Sequence, residues 1–294
     1  MSEFIQLVTI GIMIGSIYGL VALGFVLIYK ASRIFNLAQG EMLMFFAYLI
    51  YAMLVQFNLS FPLAILLTLV AVCAFGIAVE HFPLRPMLGQ PIFAILMVTI
   101  GLAVILKGVT FLTWGYGGPV KSYPVGLIPR TPISIGSITV SQVHMWGFVS
   151  CMLLFLALTL LFRFTKTGLR MRGTAEGHQL AQSTGVNVNA VISITWIVAA
   201  LVSAVGGFFL ANMQGLNFNL CIIGLAALPA ALLGGFDSLR GAIIGGIIIG
   251  IAECLVGGYI SGIGVRLVVP YILVILILIV RPYGLFGLKR IERV

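Results

Sequence analysis

Apolar runs that match or approach the length of a bilayer span follow one another from Ile5 to Val280, separated by turns and by two longer segments, 115–142 and 163–189. A helical span needs about 20 residues, within a range of roughly 17–25. Runs that fit or nearly fit occupy 5–29, 40–55, 61–79, 91–114, 143–162, 190–211, 222–235, 241–256 and 265–280. The second, seventh and eighth are short, which predicts broken, tilted or re-entrant segments there. With 61% hydrophobic and only 8% charged residues, the chain cannot cover a water-facing globule of this length, so the lipid bilayer is its solvent. The expected fold class is an all-α polytopic membrane protein of about eight or nine transmembrane helices, some short or broken, forming a single domain over 1–294.

The formal net charge is +9, yet the basic residues sit at span edges rather than in one stripe. That argues against nucleic acid as a partner and for a report of orientation, because Lys and Arg accumulate on cytoplasmic loops. The most basic interruption is 163–189, RFTKTGLRMRGTAEGHQLAQSTGVNVN, with Arg163, Lys166, Arg170 and Arg172. The tail carries Arg281, Lys289, Arg290 and Arg293. Placing both inside requires an even number of spans between them, and four are read. Counting backwards puts Arg85, Lys30 and Arg33 inside, and leaves the N-terminus and segment 115–142 outside. That outer segment is dense in Gly and Pro with alternating Ile/Ser, and reads as turns with a short hairpin or half-helix. The N-terminus, MSEFIQLVTIG, lacks the basic start of a cleaved signal.

The basic interruption is patterned like a docking element. Thr174 can cap a helix with Glu176 in its first turn. Ala175, His178 and the residues to Thr184 continue it, with Gly177, Leu180, Ala181 and Thr184 on one small-residue face. Gly185 is placed to stop it. Such a helix suits a groove on a soluble partner, though an amphipathic interfacial helix without a partner would look the same.

Glycine is abundant inside spans. Gly11, Gly15 and Gly19 form a small-xxx-small series, and Gly241, Gly245 and Gly250 nearly do, as close helix packing in lipid requires. Two polar turns stand out: Asn36, Gln39, Gly40 and Glu41 at one span boundary, and 212–219, with Asn217, at another. Irregular polar backbone near membrane depth is tolerated where it is buried in protein or lines a wet cavity. Both turns are candidates for bordering a solute path, although ordinary interfacial loops would also fit. Glu253 is an acid inside a span and a functional candidate on that ground. No Asp/Glu/His chain suggests a proton relay. Cys73, Cys151, Cys221 and Cys254 are widely spaced and read as buried small hydrophobes. Neither metal-ligand spacing nor a nucleophile–base pair appears, so no cofactor and no enzyme is expected.

Four stretches resemble a known family, the permease subunits of branched-chain amino-acid-type ABC importers, of the kind usually found first in the permease pair. They are 15–42, with GSIYGLVALGFVLIY and IFNLAQGEM; 81–106, HFPLRPMLGQPIFAILMVTIGLAVIL; 167–188, TGLRMRGTAEGHQLAQSTGVNV; and 226–253, AALPAALLGGFDSLRGAIIGGIIIGIAE. The resemblance implies a bacterial or archaeal cytoplasmic-membrane permease. It would pair with a second homologous permease, two cytoplasmic ABC ATPases and an extracytoplasmic solute-binding protein. It implies that Thr174–Gly185 couples to the ATPase and that Tyr18, Asn36, Gln39, Gly40, Glu41, Thr99 and Asn217 border the solute path. Two positions depart from the family pattern: Gln39 stands where a His is usual, and Ala226 or Ala227 where a Lys is common. Relatives of the family also carry amides, urea or aromatic acids. A self-contained ion-coupled carrier or channel, or a non-transporting scaffold, are the alternatives from other functional classes.

Overall fold

A computed structural model describes residues 2–87, 90–115, 120–124, 126–129, 131–135, 138–260 and 263–287. The tail cations Lys289, Arg290 and Arg293, and Arg130 of the outer segment, lie outside the described residues. The side chains of Glu176 and His178 do too, although their backbone is described. The chain is almost entirely helical: α1 Ser2–Ser32, α2 Gln39–Tyr51, α3 Phe61–Val79, α4 Ile92–Trp114, α5 Gln142–Phe164, α6 Lys166–Glu176, α7 His178–Ser183, α8 Val188–Gln214, α9 Leu220–Leu225, α10 Ala227–Gly234, α11 Leu239–Tyr259 and α12 Ile263–Val280. A helical backbone satisfies its own N–H and C=O groups, which hydrocarbon cannot do for it. Six of these helices, α1, α3, α4, α5, α8 and α11, are long and apolar enough to cross a membrane.

The other spans differ from one another. α2 has 13 residues and runs on into a π turn, Ala52–Gln56. The seventh run is broken at Ala226 into α9 and α10. The eighth run is not short: α11 extends over 21 residues. That corrects the expectation of a broken segment there, which arose because the glycines of 241–250 dilute its hydrophobic signal. They are tolerated because each is packed against another backbone.

The packing centre is α1 against α11. Most of the apolar window of α1 is buried (83%), against 11% for α4, so α1 is central and α4 peripheral. A Cβ added at Gly11 would lie 2.7 Å from Ile251 Cα, one at Gly15 2.7 Å from Ile247 Cα, and one at Gly19 2.8 Å from Ile243 Cα. The partner number falls by four as the glycine number rises by four. The two helices therefore run antiparallel, with one glycine per turn at the contact. Gly246 and Gly250 return the contact from α11, against the backbone of Gly19 and Gly15. α2 and α8 meet in the same way, with Gly207 against the Leu43 backbone, and α9 rests on α2 where Gly224 meets Gly40 Cα.

Connections gather at two ends. One end holds strands β1 Pro132–Ile135 and β2 Ile138–Ser141, an antiparallel hairpin, which answers the choice between hairpin and half-helix. The preceding segment is a packed lid. Buried Tyr123 donates its hydroxyl to Ala47 O (2.9 Å), and Lys121 bridges the backbone of Leu216. The opposite end holds α6, α7, the turn 33–38 and the α10–α11 turn.

Replacing Gly15 by Ala should cost about 1–3 kcal/mol, because the new methyl meets immobile backbone. Gly108→Ala, where nothing lies within 4 Å, should be neutral or slightly stabilising. Thermal unfolding of the two purified variants in one detergent compares them directly; equal midpoints would contradict the α1–α11 contact.

Candidate functional site

Segment 163–189 begins with a helix, but not where the sequence places it. Thr165 sits in extended backbone and accepts from Gly168 N (3.0 Å), so it is the cap of α6. Thr174 lies inside α6, 1% exposed, with its hydroxyl donating to Arg170 O (2.9 Å). The proposed cap is therefore corrected to Thr165. The physical reason is that Gly168, Met171 and Thr174 recur every three residues and form the buried face of α6, which carries the helix past Thr174. At Gly168 a Cβ would meet the Phe162 carbonyl carbon at 2.6 Å, so α6 turns back tightly onto the end of α5.

The helix ends at Glu176, and α7 holds only His178–Ser183 after extended backbone at Gly177. The single three-turn helix read from Thr174 is thus two helices with a break. The expected small-residue face is split as well. Ala181 is 4% exposed and packs inward beside Val188, whereas Leu180 is 71% exposed. Gly185 ends α7 at φ +79°, with its N–H donating to Gln182 O and Val186 N donating to Ala181 O, a closure that glycine makes without strain.

Arg33 fastens this segment to the spans. It occupies the left-handed region at φ +58° and directs its guanidinium two ways. Nη1 donates to Asp237 Oδ1 in the α10–α11 turn at 3.0 Å, and Nη2 donates to Ala175 O in α6 at 3.1 Å. Lys30 Nζ also reaches Asp237 O at 3.4 Å. Tyr29, Phe35 and Phe236 pack ring to ring beneath, with centroids 4.7–5.1 Å apart.

The seven residues read as bordering a path do not converge on one cavity. Asn36 and Gln39 are fully buried and linked, with Asn36 Nδ2 donating to Gln39 Oε1 (2.9 Å) and Gln39 Nε2 donating to Ser203 Oγ (2.9 Å). Asn36 Oδ1 also accepts from Ala38 N, so this pair ties the α1–α2 turn to α8. Gly40 gives α9 its close approach. Glu41 is buried, with Oε2 lacking a hydrogen-bond partner. Thr99 donates to Leu96 O and Phe35 O. Asn217 caps the turn before α9 by accepting from Asn219 N.

Of the seven, Tyr18 lines a polar cavity. The cavity, of about 350 Å³, lies between α1, α5, α8, α9, α11 and α12 in the hairpin-bearing half. Tyr18 donates its hydroxyl to Glu253 Oε2 at 3.0 Å, both side chains being buried. His144, Gln214 and Arg266 complete the polar lining. Glu253 was legible as an acid within a span. Arg266 was hidden at the start of an apolar run, and His144 and Gln214 stand at helix ends where polar residues are commonplace.

A protein-family model described as the branched-chain amino acid transport system permease component matches residues 7–278. The chain is 30% identical to the high-affinity branched-chain amino acid transport system permease protein LivH of Escherichia coli, a match covering 86% of this chain and 85% of that protein. It is 29% identical to the permease protein BraD of Pseudomonas aeruginosa, with 85% of each chain covered. A probable LivH from the archaeon Methanocaldococcus jannaschii is 30% identical over 80% of this chain and 76% of its own length.

Arg33→Ala removes both charge-assisted bonds. Since Arg33 is partly exposed, the expected loss is about 1 kcal/mol rather than the full buried value. Hydrogen exchange over 166–183 should accelerate about fivefold while α1 and α11 keep their protection. Unchanged exchange in α6 would show that Arg33 does not hold it.

Proposed function

This chain belongs to the branched-chain amino acid transport permease family, and from that premise we propose that it is the membrane-spanning subunit of an ATP-driven importer of branched-chain amino acids or related small carboxylates. It works beside a second homologous permease, two cytoplasmic ABC ATPases and an extracytoplasmic solute-binding protein. The observation that carries the reading is the α6–α7 segment, a basic, partly apolar element pinned to the α1 end by Arg33. Lys166, Arg170, Arg172, Leu169 and Leu180 are exposed on it. A soluble partner would find there a surface that is firmly attached to the spans.

Charge supports the orientation. Lys30, Arg33, Arg85, Lys166, Arg170 and Arg240 lie at the α6 end, whereas the described hairpin half offers Lys107, Lys121 and, within the cavity, Arg266. The basic end faces the cytoplasm, with α6–α7 as the ATPase contact. The N-terminus and hairpin then face the solute-binding protein.

The conversion of ATP energy into transport falls to partners, and this chain supplies shape. ATPase closure would move α6 and α7, and Arg33 would pass that displacement to α1 and to the α10–α11 turn. The permease itself is not an enzyme in this scheme. Gln39 and either Ala226 or Ala227 depart from the family pattern, so amides, urea and aromatic acids belong in the uptake panel beside leucine.

Reconstituted with its partners, the transporter should accumulate L-leucine only when ATP is present. Uptake driven by an ion gradient without ATPase subunits would overturn the reading in favour of a secondary carrier. Gly177→Trp and Glu176→Arg, which alter the break between α6 and α7, should each reduce ATP-driven uptake at least tenfold with normal membrane insertion. Full transport-coupled ATP hydrolysis in both variants would contradict the placement of the ATPase contact.

A further inference from the structure

We propose that the cavity beneath the hairpin end binds a zwitterionic amino acid within the permease, with Glu253 receiving the α-ammonium group and Arg266 the α-carboxylate. The inference rests on the importer reading and adds a solute site of the chain's own.

Glu253 is 4% exposed, deep in α11, and its one described hydrogen bond is from the Tyr18 hydroxyl. A buried carboxylate with no cation in contact is costly in low dielectric and is relieved by a positive group that arrives with a ligand. Arg266 lines the same cavity from the first turn of α12. Its charge acts on Glu253 through space, yet the two form no ion pair. Its stem lies along α11, with Cδ 3.4 Å from where a Cβ would stand on Gly257. Its guanidinium makes no hydrogen bond to the described residues, which leaves its planar fork of donors for a carboxylate. Opposite charges that face one cavity without touching leave room between them for a molecule carrying both.

The remaining lining fits the rest of such a ligand. Ile14, Leu210, Met213 and Ile223 offer an apolar wall for an aliphatic side chain, while His144 and Gln214 stand at the termini of α5 and α8. A volume of about 350 Å³ falls in the range of small-molecule pockets. The α9–α10 break at Ala226 borders the same space, which is where irregular backbone within a membrane is tolerated. The lining joins helices from both sides of the α1–α11 contact.

Equilibrium binding of tritiated L-leucine to the assembled permease and ATPase subunits in nanodiscs, without the solute-binding protein, tests this. Two analogues serve as competitors: 4-methylpentanoate, which lacks the ammonium group, and 3-methylbutylamine, which lacks the carboxylate. Each should compete at least tenfold more weakly than leucine. Arg266→Gln should weaken leucine and 4-methylpentanoate at least tenfold and leave 3-methylbutylamine unchanged. Glu253→Gln should do the converse. If Glu253→Gln fails to fold, Arg266→Gln, at an exposed position, decides alone. Unchanged leucine affinity in Arg266→Gln overturns the site. Absence of leucine binding alongside intact ATP-driven leucine uptake overturns the site and leaves the importer reading standing. A wild-type complex that takes up only urea or amides overturns both.

Discussion

The backbone contact between α1 and α11 is the constraint on which the rest depends. In lipid no hydrophobic force drives helices together, so they associate only as closely as their side chains permit. One glycine per turn on α1, met by Gly246 and Gly250 on α11, brings the two backbones together along several turns. Such proximity lets the Tyr18 hydroxyl reach Glu253 at 3.0 Å. It also encloses α1 so fully that its C-terminal end can position Arg33 against two other segments. A methyl group at any of these glycines would act on the cavity and the Arg33 clamp alike.

Polar groups inside the protein follow a second rule: most are hydrogen-bonded within the described residues, with Glu41 Oε2, Glu80 Oε1 and Trp196 Nε1 as exceptions. Asn36, Gln39 and Ser203 form a closed chain of bonds, and Thr68, Thr110 and Thr195 donate back to the preceding helical turn. These residues fix the geometry of the turns and helices they join. Buried Glu253 and exposed Arg266 differ in lining one cavity with opposite charges that form no ion pair. Opposite charges held apart across a cavity, rather than a single unpaired atom, are what a bridging ligand requires.

Much of the fold was legible in the sequence because hydrocarbon imposes a simple test on each run of residues. Most span positions, the glycine spacing of α1 and the stop at Gly185 follow from local rules. The α6 cap did not, because TxxG at 165–168 and TAEG at 174–177 look alike as sequences. What separates them is tertiary: Thr165 leaves α5 in extended backbone, whereas Thr174 is buried against the bundle. Asn36 and Gln39 could be recognised as unusual, but whether their amides face a cavity or Ser203 depends on a helix more than 160 residues away. Arg266 was invisible for a different reason. A single cation at the head of an apolar run ordinarily serves as an interfacial anchor, and only its neighbours across α11 give it another role.

The two candidate functions sit at different heights of one stiff element. Arg33 joins α6 to the α10–α11 turn at one end of α1. Halfway along the same helix, Tyr18 bonds Glu253 of α11. Because glycine brings the α1 and α11 backbones into contact between these points, the pair cannot shear without breaking that contact, and it is expected to move as a body. A displacement of α6 would then reach the cavity as a change in how α1–α11 meets α5, α8, α9 and α12, the helices that contribute the other walls. Of these, α9 is six residues long and ends at a break, and α12 carries Pro270 inside it. Arg266 rides on α12 and Glu253 on the rigid pair. The distance between the two charges is therefore the quantity that such a motion would change, and with it the fit of any molecule that bridges them.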